Sequence, residues 1–212
     1  MHIPDGILPI TISAAGYATS GAATWHSLRK IGQKENAQAS IPKASLLTAA
    51  FFVASWIHIP VPPTSVHLVL NGLLGAVLGY YAFPAILIGL FFQAVMFQHG
   101  GLTTLGVNAT MMGVPAILAF FIFRLRRVVG KESHWAVGLF GFLAGAAGLG
   151  MAVLISWGLL ITTIPAHLDV EAEQASIYAL VLAHVPLIAL EGFFTALVAL
   201  FLQRVKPEML EN

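Results

Sequence analysis

The segment Ala175–Leu202, ASIYALVLAHVPLIALEGFFTALVALFL, decides the fold class of this chain. Its 28 residues contain no Lys or Arg and a single carboxylate, Glu191. A helix needs about 20 consecutive apolar residues to cross the hydrocarbon core of a bilayer. The rest of the chain agrees, since 58% of its 212 residues are hydrophobic and only 9% are charged. The sequence therefore predicts an integral membrane protein.

Seven apolar stretches, of which this segment is the last, predict an all-α membrane protein with about seven transmembrane helices. We treat the chain as a single transmembrane domain, residues 1–212. The second, third and fourth stretches are the weakest spans because they are shorter than a full crossing. Pro and Gly clusters separate several of them. The stretches are Leu8–Ser27, Lys43–His58, Val66–Ala82, Pro84–Gln98, Val107–Arg124, Trp135–Thr163 and Ala175–Leu202.

The basic residues predict the orientation in the membrane. In a seven-span arrangement all ten fall in the first loop, the fifth loop or the C-terminal tail, which lie on one side. The positive-inside rule makes that side cytoplasmic, so the N-terminus is expected outside and the C-terminus in the cytoplasm of a plasma-membrane protein. A net charge of +1 gives no indication of nucleic-acid binding. The basic residues are Arg29, Lys30, Lys34, Lys43, Arg124, Arg126, Arg127, Lys131, Arg204 and Lys206.

The first two residues, Met1 and His2, have a chelating chemistry that no other position has. With a free α-amine on Met1, the amine, the amide of His2 and its Nδ1 can bind one metal ion in a five-membered and a six-membered ring. Such a flat set of nitrogens suits Ni(II) or Cu(II). The chain has no cysteine, so any metal must be held by nitrogen or oxygen. We therefore predict a metal-chelating segment at residues 1–7, with a fourth nitrogen from elsewhere.

Histidines on the predicted outer side are the candidates for the fourth nitrogen. We prefer His67, which we expect in the first turn of the third helix, where Thr64 or Ser65 would cap that helix. His58 and His99 are rivals of the same kind, and each of the three is also compatible with an ordinary interface residue. No Lys or Arg competes on this side, and outer carboxylates would attract a cation. These carboxylates are Asp5, Asp169, Glu171 and Glu173.

The run from Gln98 to Asn108, QHGGLTTLGVN, is too rich in glycine for a plain helix. Irregular backbone at membrane depth is tolerated where it is buried or lines a cavity. We expect this run to fold over the metal site, with Thr103 and Asn108 orienting the imidazoles by hydrogen bonds. A plain surface connection is the alternative.

Glu191 is the only carboxylate deep inside an apolar stretch. An ionisable residue at that depth is by default a functional hypothesis. His184 is seven residues earlier, so the two side chains can share one helix face. A translocation site and a structural hydrogen bond both fit, and we favour the structural one.

Catalytic and nucleotide-binding motifs are absent from the sequence, with no HExxH, GxSxG or Walker A pattern. A transporter of this kind must use an ion gradient or another protein's ATPase, and the few buried charges favour the ATPase. Two alternatives remain open. A stand-alone secondary divalent-metal transporter would take up metal in liposomes without ATP or partners. An intramembrane metalloenzyme is less favoured because no paired helical metal motif is present.

Three motifs resemble those of the CbiM/NikM family, the substrate-binding subunits of energy-coupling factor (ECF) transporters for cobalt and nickel. They are Met1-His2-Ile3-Pro4-Asp5-Gly6, Thr64-Ser65-Val66-His67-Leu68 and the run His99–Asn108. The resemblance covers essentially the whole chain. It implies seven spans with the N-terminus outside, and a metal held by the α-amine of Met1, the amide and Nδ1 of His2, and the imidazole of His67.

The resemblance also implies partners: a transmembrane coupling subunit, a pair of ABC ATPases and a small accessory membrane subunit. The accessory protein is fused to this subunit in some members. This chain ends at Asn212 without further spans, so we expect a separate accessory chain. Nickel is ranked ahead of cobalt as the substrate, since four coplanar nitrogens with one ionised amide favour low-spin Ni(II).

Overall fold

The fold, obtained as a computed structural model, is almost entirely helical. The structure describes residues 2–61, 64–130, 133–165 and 169–211, and at 58–61 and 64–65 it describes the backbone alone. The elements are α1 (Ile10–Gly32), α2 (Ile41–Ala54), β1 (His58–Val61), β2 (Thr64–His67), α3 (Asn71–Leu78), α4 (Ala82–Phe97), α5 (Leu105–Arg124), α6 (Arg126–Gly130), α7 (His134–Thr162) and α8 (Val170–Val205). Three 3-10 turns lie at Ala37–Ser40, Gly79–Tyr81 and Pro207–Leu210.

Helices long and apolar enough to cross a membrane confirm the predicted class, a multi-pass helical membrane protein. Among the described residues, four stretches have that length and composition. They are Leu105–Gly130, His134–Thr162, Val170–Val205 and Asn71–Phe97, the last of which is divided into α3 and α4. The count of seven spans and the sides of the termini stay predictions. α1 has the length of a span but is rich in Ser, Thr, Ala and Gly. α2 has 14 residues, which at 1.5 Å each extend about 21 Å.

The third predicted stretch, Val66–Ala82, is wrong as a straight span. Its helix, α3, begins at Asn71 and has eight residues. His67 lies at the end of β2, not in the first turn of a helix. The residue before α3 is Leu70, whose side chain makes no cap, so the predicted cap by Thr64 or Ser65 is also wrong.

A β-hairpin takes the place of that helical turn. β1 and β2 pair antiparallel, with His58 opposite His67 and Val61 opposite Thr64. β-branched residues are enriched in strands because they pack well on a pleated surface. They recur at alternate positions here (Ile59 and Val61, then Thr64 and Val66), and this period of two favours the extended pair over a helix.

The stretch Asn71–Phe97 folds back on itself as the hairpin α3–α4. Gly79 has a φ of +58°, which ends α3, and a 3-10 turn leads into α4. His67 precedes α3 and His99 follows α4, yet their rings are 5.0 Å apart. The start of α3 and the end of α4 therefore lie at the same end of the molecule, and the turn at Gly79 reverses the chain between them.

Glycines allow α7 to approach two other helices closely. A Cβ on Gly145 would lie 2.6 Å from the carbonyl oxygen of Glu191 in α8, and one on Gly141 would lie 3.0 Å from the Cα of Ala196. A Cβ on Gly72 of α3 would lie 2.6 Å from the Cα of Gly145. The Gly141–Gly145 pair thus packs against helices of the same chain, as small residues do in membrane bundles.

Basic side chains bind the C-terminal tail at one end of the bundle. The Lys43 Nζ donates to the carbonyl oxygen of Met209 at 3.0 Å. The Arg126 guanidinium, 3% exposed, donates to the carbonyls of Leu210 at 2.6 Å and Phe123 at 3.0 Å. Arg126 follows α5, whose 20 residues extend about 30 Å from its first turn. The N-terminal segment, the end of β2 and the loop after α4 lie around that first turn, at the opposite end of the bundle.

Candidate metal centre

Three imidazoles converge at the end of the bundle away from the basic residues. His2 comes from the N-terminal segment, His67 from the end of β2 and His99 from the loop after α4. One potential ligand nitrogen from each lies within 4.8 Å of the others. The ring centroids of His2 are 5.1 Å from His67 and 4.1 Å from His99. Three potential nitrogen ligands from segments distant in sequence therefore meet in one place.

The imidazole of His2 is held in one orientation by a side chain of α4. Its Nε2 lies 2.8 Å from the Oε1 of Gln93, and the Gln93 amide nitrogen donates to the Ser55 hydroxyl at 3.0 Å. Nε2 therefore carries the proton that Gln93 accepts, and Nδ1 keeps its lone pair. Nδ1 is buried and has no hydrogen-bond partner among the described residues. A buried nitrogen without a partner is rare in proteins and suits a metal.

The charge state of His2 also suits a metal ligand. Burial is the largest cause that holds the pKa of His2 well below its ordinary value, and the N-terminal ammonium, His99 and His67 lower it further. The hydrogen bond to Gln93 opposes them. The imidazole is therefore neutral at neutral pH, which is the form that binds a cation.

His67 is fixed by its own backbone. It is 4% exposed, and its Nδ1 donates to the carbonyl oxygen of Leu68 at 3.0 Å. This bond leaves Nε2 as the nitrogen with the lone pair. A ring nitrogen bonded to a backbone carbonyl is the usual way in which a metal-binding histidine is oriented.

The N-terminal segment is bound to α5 through the backbone of Ile3. Asn108 accepts from the Ile3 amide at 3.0 Å and donates to its carbonyl at 3.0 Å. The Thr104 hydroxyl donates to the same carbonyl at 2.6 Å. All three residues are buried. Asn108 therefore positions the chain next to His2; its side chain bonds to that backbone and not to an imidazole.

Asp5 binds the glycine-rich loop. Its carboxylate accepts from the amide of Leu102 at 3.2 Å, and from the amide and hydroxyl of Thr103 at 2.8 Å and 2.5 Å. The hydrogen bond from the Thr103 hydroxyl is the largest cause that lowers the pKa of Asp5. Thr103 thus holds the N-terminal segment, and the predicted folding of this loop over the site agrees with these contacts.

Comparison with known proteins identifies the family. A family model described as the cobalt uptake substrate-specific transmembrane region, CbiM, matches residues 2–209. The chain belongs to the CbiM family. It is a membrane component of cobalt or nickel uptake and a transporter protein, not an enzyme, as predicted.

Relatives of this CbiM-family chain are named for metal transport. A putative metal transport protein of Haemophilus influenzae is 33% identical, and the match covers 100% of this chain and 98% of the relative. The cobalt transport protein CbiM of Sorangium cellulosum is 32% identical over 100% of this chain and 95% of its own. The fused nickel transport protein NikMN of Rhodobacter capsulatus is 32% identical over 99% of this chain and 64% of its own.

A solved structure has the same fold as this CbiM-family chain. The crystal structure of a transition metal transporter superimposes with a TM-score of 0.78 at 25% identity. The superposition covers 97% of this chain and 93% of that one.

Several predicted site residues lie elsewhere or outside the described part. Met1 lies outside the described residues, and so do the side chains of His58, Thr64 and Ser65. Gln93 and Thr104 are not among the predicted site residues, although Gln93 bonds directly to His2. A glutamine in α4, 91 residues from His2, gives no sequence signal for this contact.

The outer carboxylates have different surroundings. Asp169 accepts from the amides of Glu171 and Ala172 and so caps α8. Glu173 is half-buried and lines a cavity of about 260 Å³ that His2 and Ser156 also line. Of the predicted cation-attracting groups, Glu173 is therefore the one on a cavity wall shared with His2.

Replacing Gly101 with alanine is expected to displace the N-terminal segment of this CbiM-family protein. A Cβ there would lie 2.1 Å from Oδ1 of Asp5 and 2.6 Å from its backbone nitrogen. Overpacking of this kind costs about 1–3 kcal/mol, so thermal unfolding in detergent should occur at lower temperature and cobalt or nickel should bind more weakly. Gly21→Ala is the matched control, because nothing lies within 4 Å of its Cβ. Wild-type stability and affinity in Gly101→Ala would contradict this account.

Proposed function

We propose that this chain is the substrate-capture subunit of an ECF-type importer, which binds Ni(II), or Co(II), at its outer end and delivers it for ATP-driven uptake. One observation carries the proposal: the buried Nδ1 of His2 has no hydrogen-bond partner among the described residues, in a ring of which one nitrogen lies within 4.8 Å of a nitrogen of His67 and of His99. The family match to a cobalt uptake region supports the metal class. The domain unit is the whole chain, 1–212, with residues 1–7 as the chelating segment.

The proposed ligands are four nitrogens. The α-amine of Met1, the amide nitrogen of His2 and its Nδ1 form two fused chelate rings, and the Nε2 of His67 completes the plane. The tautomers support this set, since Gln93 occupies Nε2 of His2 and Leu68 occupies Nδ1 of His67. Each ring therefore keeps its lone pair on the nitrogen that the proposed ligand set requires.

Nickel is the preferred substrate in this proposal. Four coplanar nitrogens, one of them an ionised amide, favour low-spin Ni(II), and Co(II) accepts a similar set. Cu(II) binds such sites more tightly than either, so selectivity must come from geometry and from which metal is available. Relatives named for cobalt and for nickel transport fit both metals.

The proposed orientation puts the metal site outside. Lys43 and Arg126 hold the C-terminal tail at the end of the bundle away from the histidines, which is the end that the positive-inside rule assigns to the cytoplasm. A nucleotide-binding motif is absent from the sequence. In this proposal the energy comes from partners: a transmembrane coupling subunit, a pair of ABC ATPases and a small accessory membrane subunit.

Metal content and visible absorption of the detergent-purified chain, with Met1 as its first residue, test this function. We expect one Ni(II) per chain and the d–d band of a square-planar nickel complex. His2→Ala should lose both, because it removes one ligand of the fused rings. His134→Ala is the matched control: His134 is exposed and bonds to Gln203, far from the site. A wild-type protein without stoichiometric metal would refute the proposal.

A further inference from the structure

Glu191 of α8 is bonded to the backbone that follows His67. It is 1% exposed, and its Oε1 accepts from the amide of Val69. Both carboxylate oxygens lie 3.1 Å from the amide nitrogen of Leu70. These bonds join residues more than 120 positions apart. A carboxyl group in an apolar helix is tolerated when its hydrogen bonds are made, and Glu191 makes them to one short segment.

That segment has an unusual conformation. Leu70 has a φ of 56° and a ψ of 12°, in the left-handed region. Outside glycine this conformation is strained and persists only when its surroundings hold it. Leu70 is also the N-cap of α3, where backbone amides have no partner within the helix. Glu191 accepts two amides at this junction, so it stabilises the turn that the chain would otherwise avoid.

The same segment orients the imidazole of His67. Leu68, whose carbonyl accepts from the Nδ1 of His67, is directly followed by Val69, whose amide binds Glu191. The peptide unit joining Leu68 to Val69 thus contacts the ring through its oxygen and the carboxylate through its nitrogen. Movement of this peptide would turn His67 away from His2.

The surroundings make Glu191 a fixed point. Its backbone carbonyl packs against Gly145 of α7, where no Cβ fits. On the far side of the turn, Asn71 donates to the carbonyls of Gly148 at 2.9 Å and Met112 at 3.2 Å. The junction between β2 and α3 is therefore held from α5, α7 and α8 together.

We propose that Glu191 is a positioning residue for the metal: it holds the turn at residues 68–70 so that the Nε2 of His67 faces the chelate of His2. This role rests on the proposed function, because it takes His67 as a ligand. Glu191 itself does not touch the metal. The loss of a group that orients a ligand costs about 10- to 100-fold in metal affinity, and we expect that loss for Glu191→Leu, which removes both acceptors.

A double-mutant cycle separates this role from a merely structural one. Nickel affinity and the d–d band are measured for wild type, Glu191→Leu, His67→Ala and the double variant. If Glu191 acts through His67, substitution of Glu191 lowers the nickel affinity of the wild-type protein but does not change the nickel affinity of the His67→Ala variant. The band of Glu191→Leu should also shift to longer wavelength, toward that of His67→Ala, because a weaker-field ligand replaces imidazole. Equal losses in both backgrounds would overturn the proposal.

Two further variants keep the test decisive if Glu191→Leu does not fold. Glu191→Gln keeps one oxygen acceptor and should lose less affinity in the same cycle. Thr195→Val is the control: Thr195 is buried one turn further along α8, and its hydroxyl has no partner among the described residues. It should bind nickel as wild type does. If both Glu191→Gln and Glu191→Leu bind nickel as tightly as wild type does, the positioning role of Glu191 is rejected. The proposed function would still stand in that case, because the wild-type protein binds nickel.

Discussion

A peptide tag of several residues before Met1 is expected to abolish tight nickel binding. It converts the α-amine of Met1 into an amide, whose nitrogen can bind only after losing a proton far less acidic than that of the amine, and so removes one donor of the proposed chelate. A donor tethered in this way strengthens binding by about 10²- to 10⁴-fold over a free one, so a loss of that order should follow. Titration of Ni(II) into the purified extended protein, followed by its visible spectrum, measures it.

The matched control for this prediction adds the same residues after Asn212. That end of the chain lies near Lys43 and Arg126, which bind the carbonyls of Met209 and Leu210. We expect this protein to bind nickel as wild type does. Proteolytic removal of the N-terminal extension should restore the band, and tight binding by the extended chain would remove the α-amine from the ligand set.

His67→Ala is expected to change the nickel complex, whereas His99→Ala should leave its spectrum in place. Three imidazoles meet at the site, and the proposal assigns a metal bond to only two of them. Loss of the fourth nitrogen should cost about 100-fold or more. His99 packs edge-on against both other rings. His99→Ala should therefore lower the nickel affinity by about tenfold, the lower bound for the loss of a group that orients ligands.

The spectrum decides between the two histidines more sharply than affinity does. A water in place of imidazole weakens the ligand field, so the d–d band of His67→Ala should move to longer wavelength. Both variants remove the same side chain from the same cluster, so each controls for the other. A shifted band in His99→Ala together with a wild-type band in His67→Ala would exchange their roles.

Composition and residue position predicted the parts of this protein that depend on local chemistry. Hydropathy predicted the class, a multi-pass helical membrane protein, and position 2 alone indicated that His2 could chelate a metal; its buried Nδ1 has no hydrogen-bond partner among the described residues. These features follow from properties of single residues or single helices.

The remaining features depend on contacts between distant segments. His67 was expected in a helix because Thr64 and Ser65 resemble caps, but the alternating β-branched residues around it formed a hairpin instead. The bond from His2 to Gln93 crosses 91 residues. The sequence indicated a structural hydrogen bond for Glu191 but not its partners, because no sequence pattern shows that α8 contacts the amides of Val69 and Leu70.

The N-terminal segment can be regarded as a peptide ligand that is tethered to its own receptor. Asn108 and Thr104 bind Ile3 through its backbone and not through its side chain, and Asp5 binds the loop at Thr103. A tethered peptide rebinds at an effective concentration of about millimolar, so brief detachment is quickly reversed. In the proposed complex the ion is part of this docked peptide. Unloading then becomes a matter of peptide dissociation, and whatever pulls the segment from its groove also sets when the metal leaves.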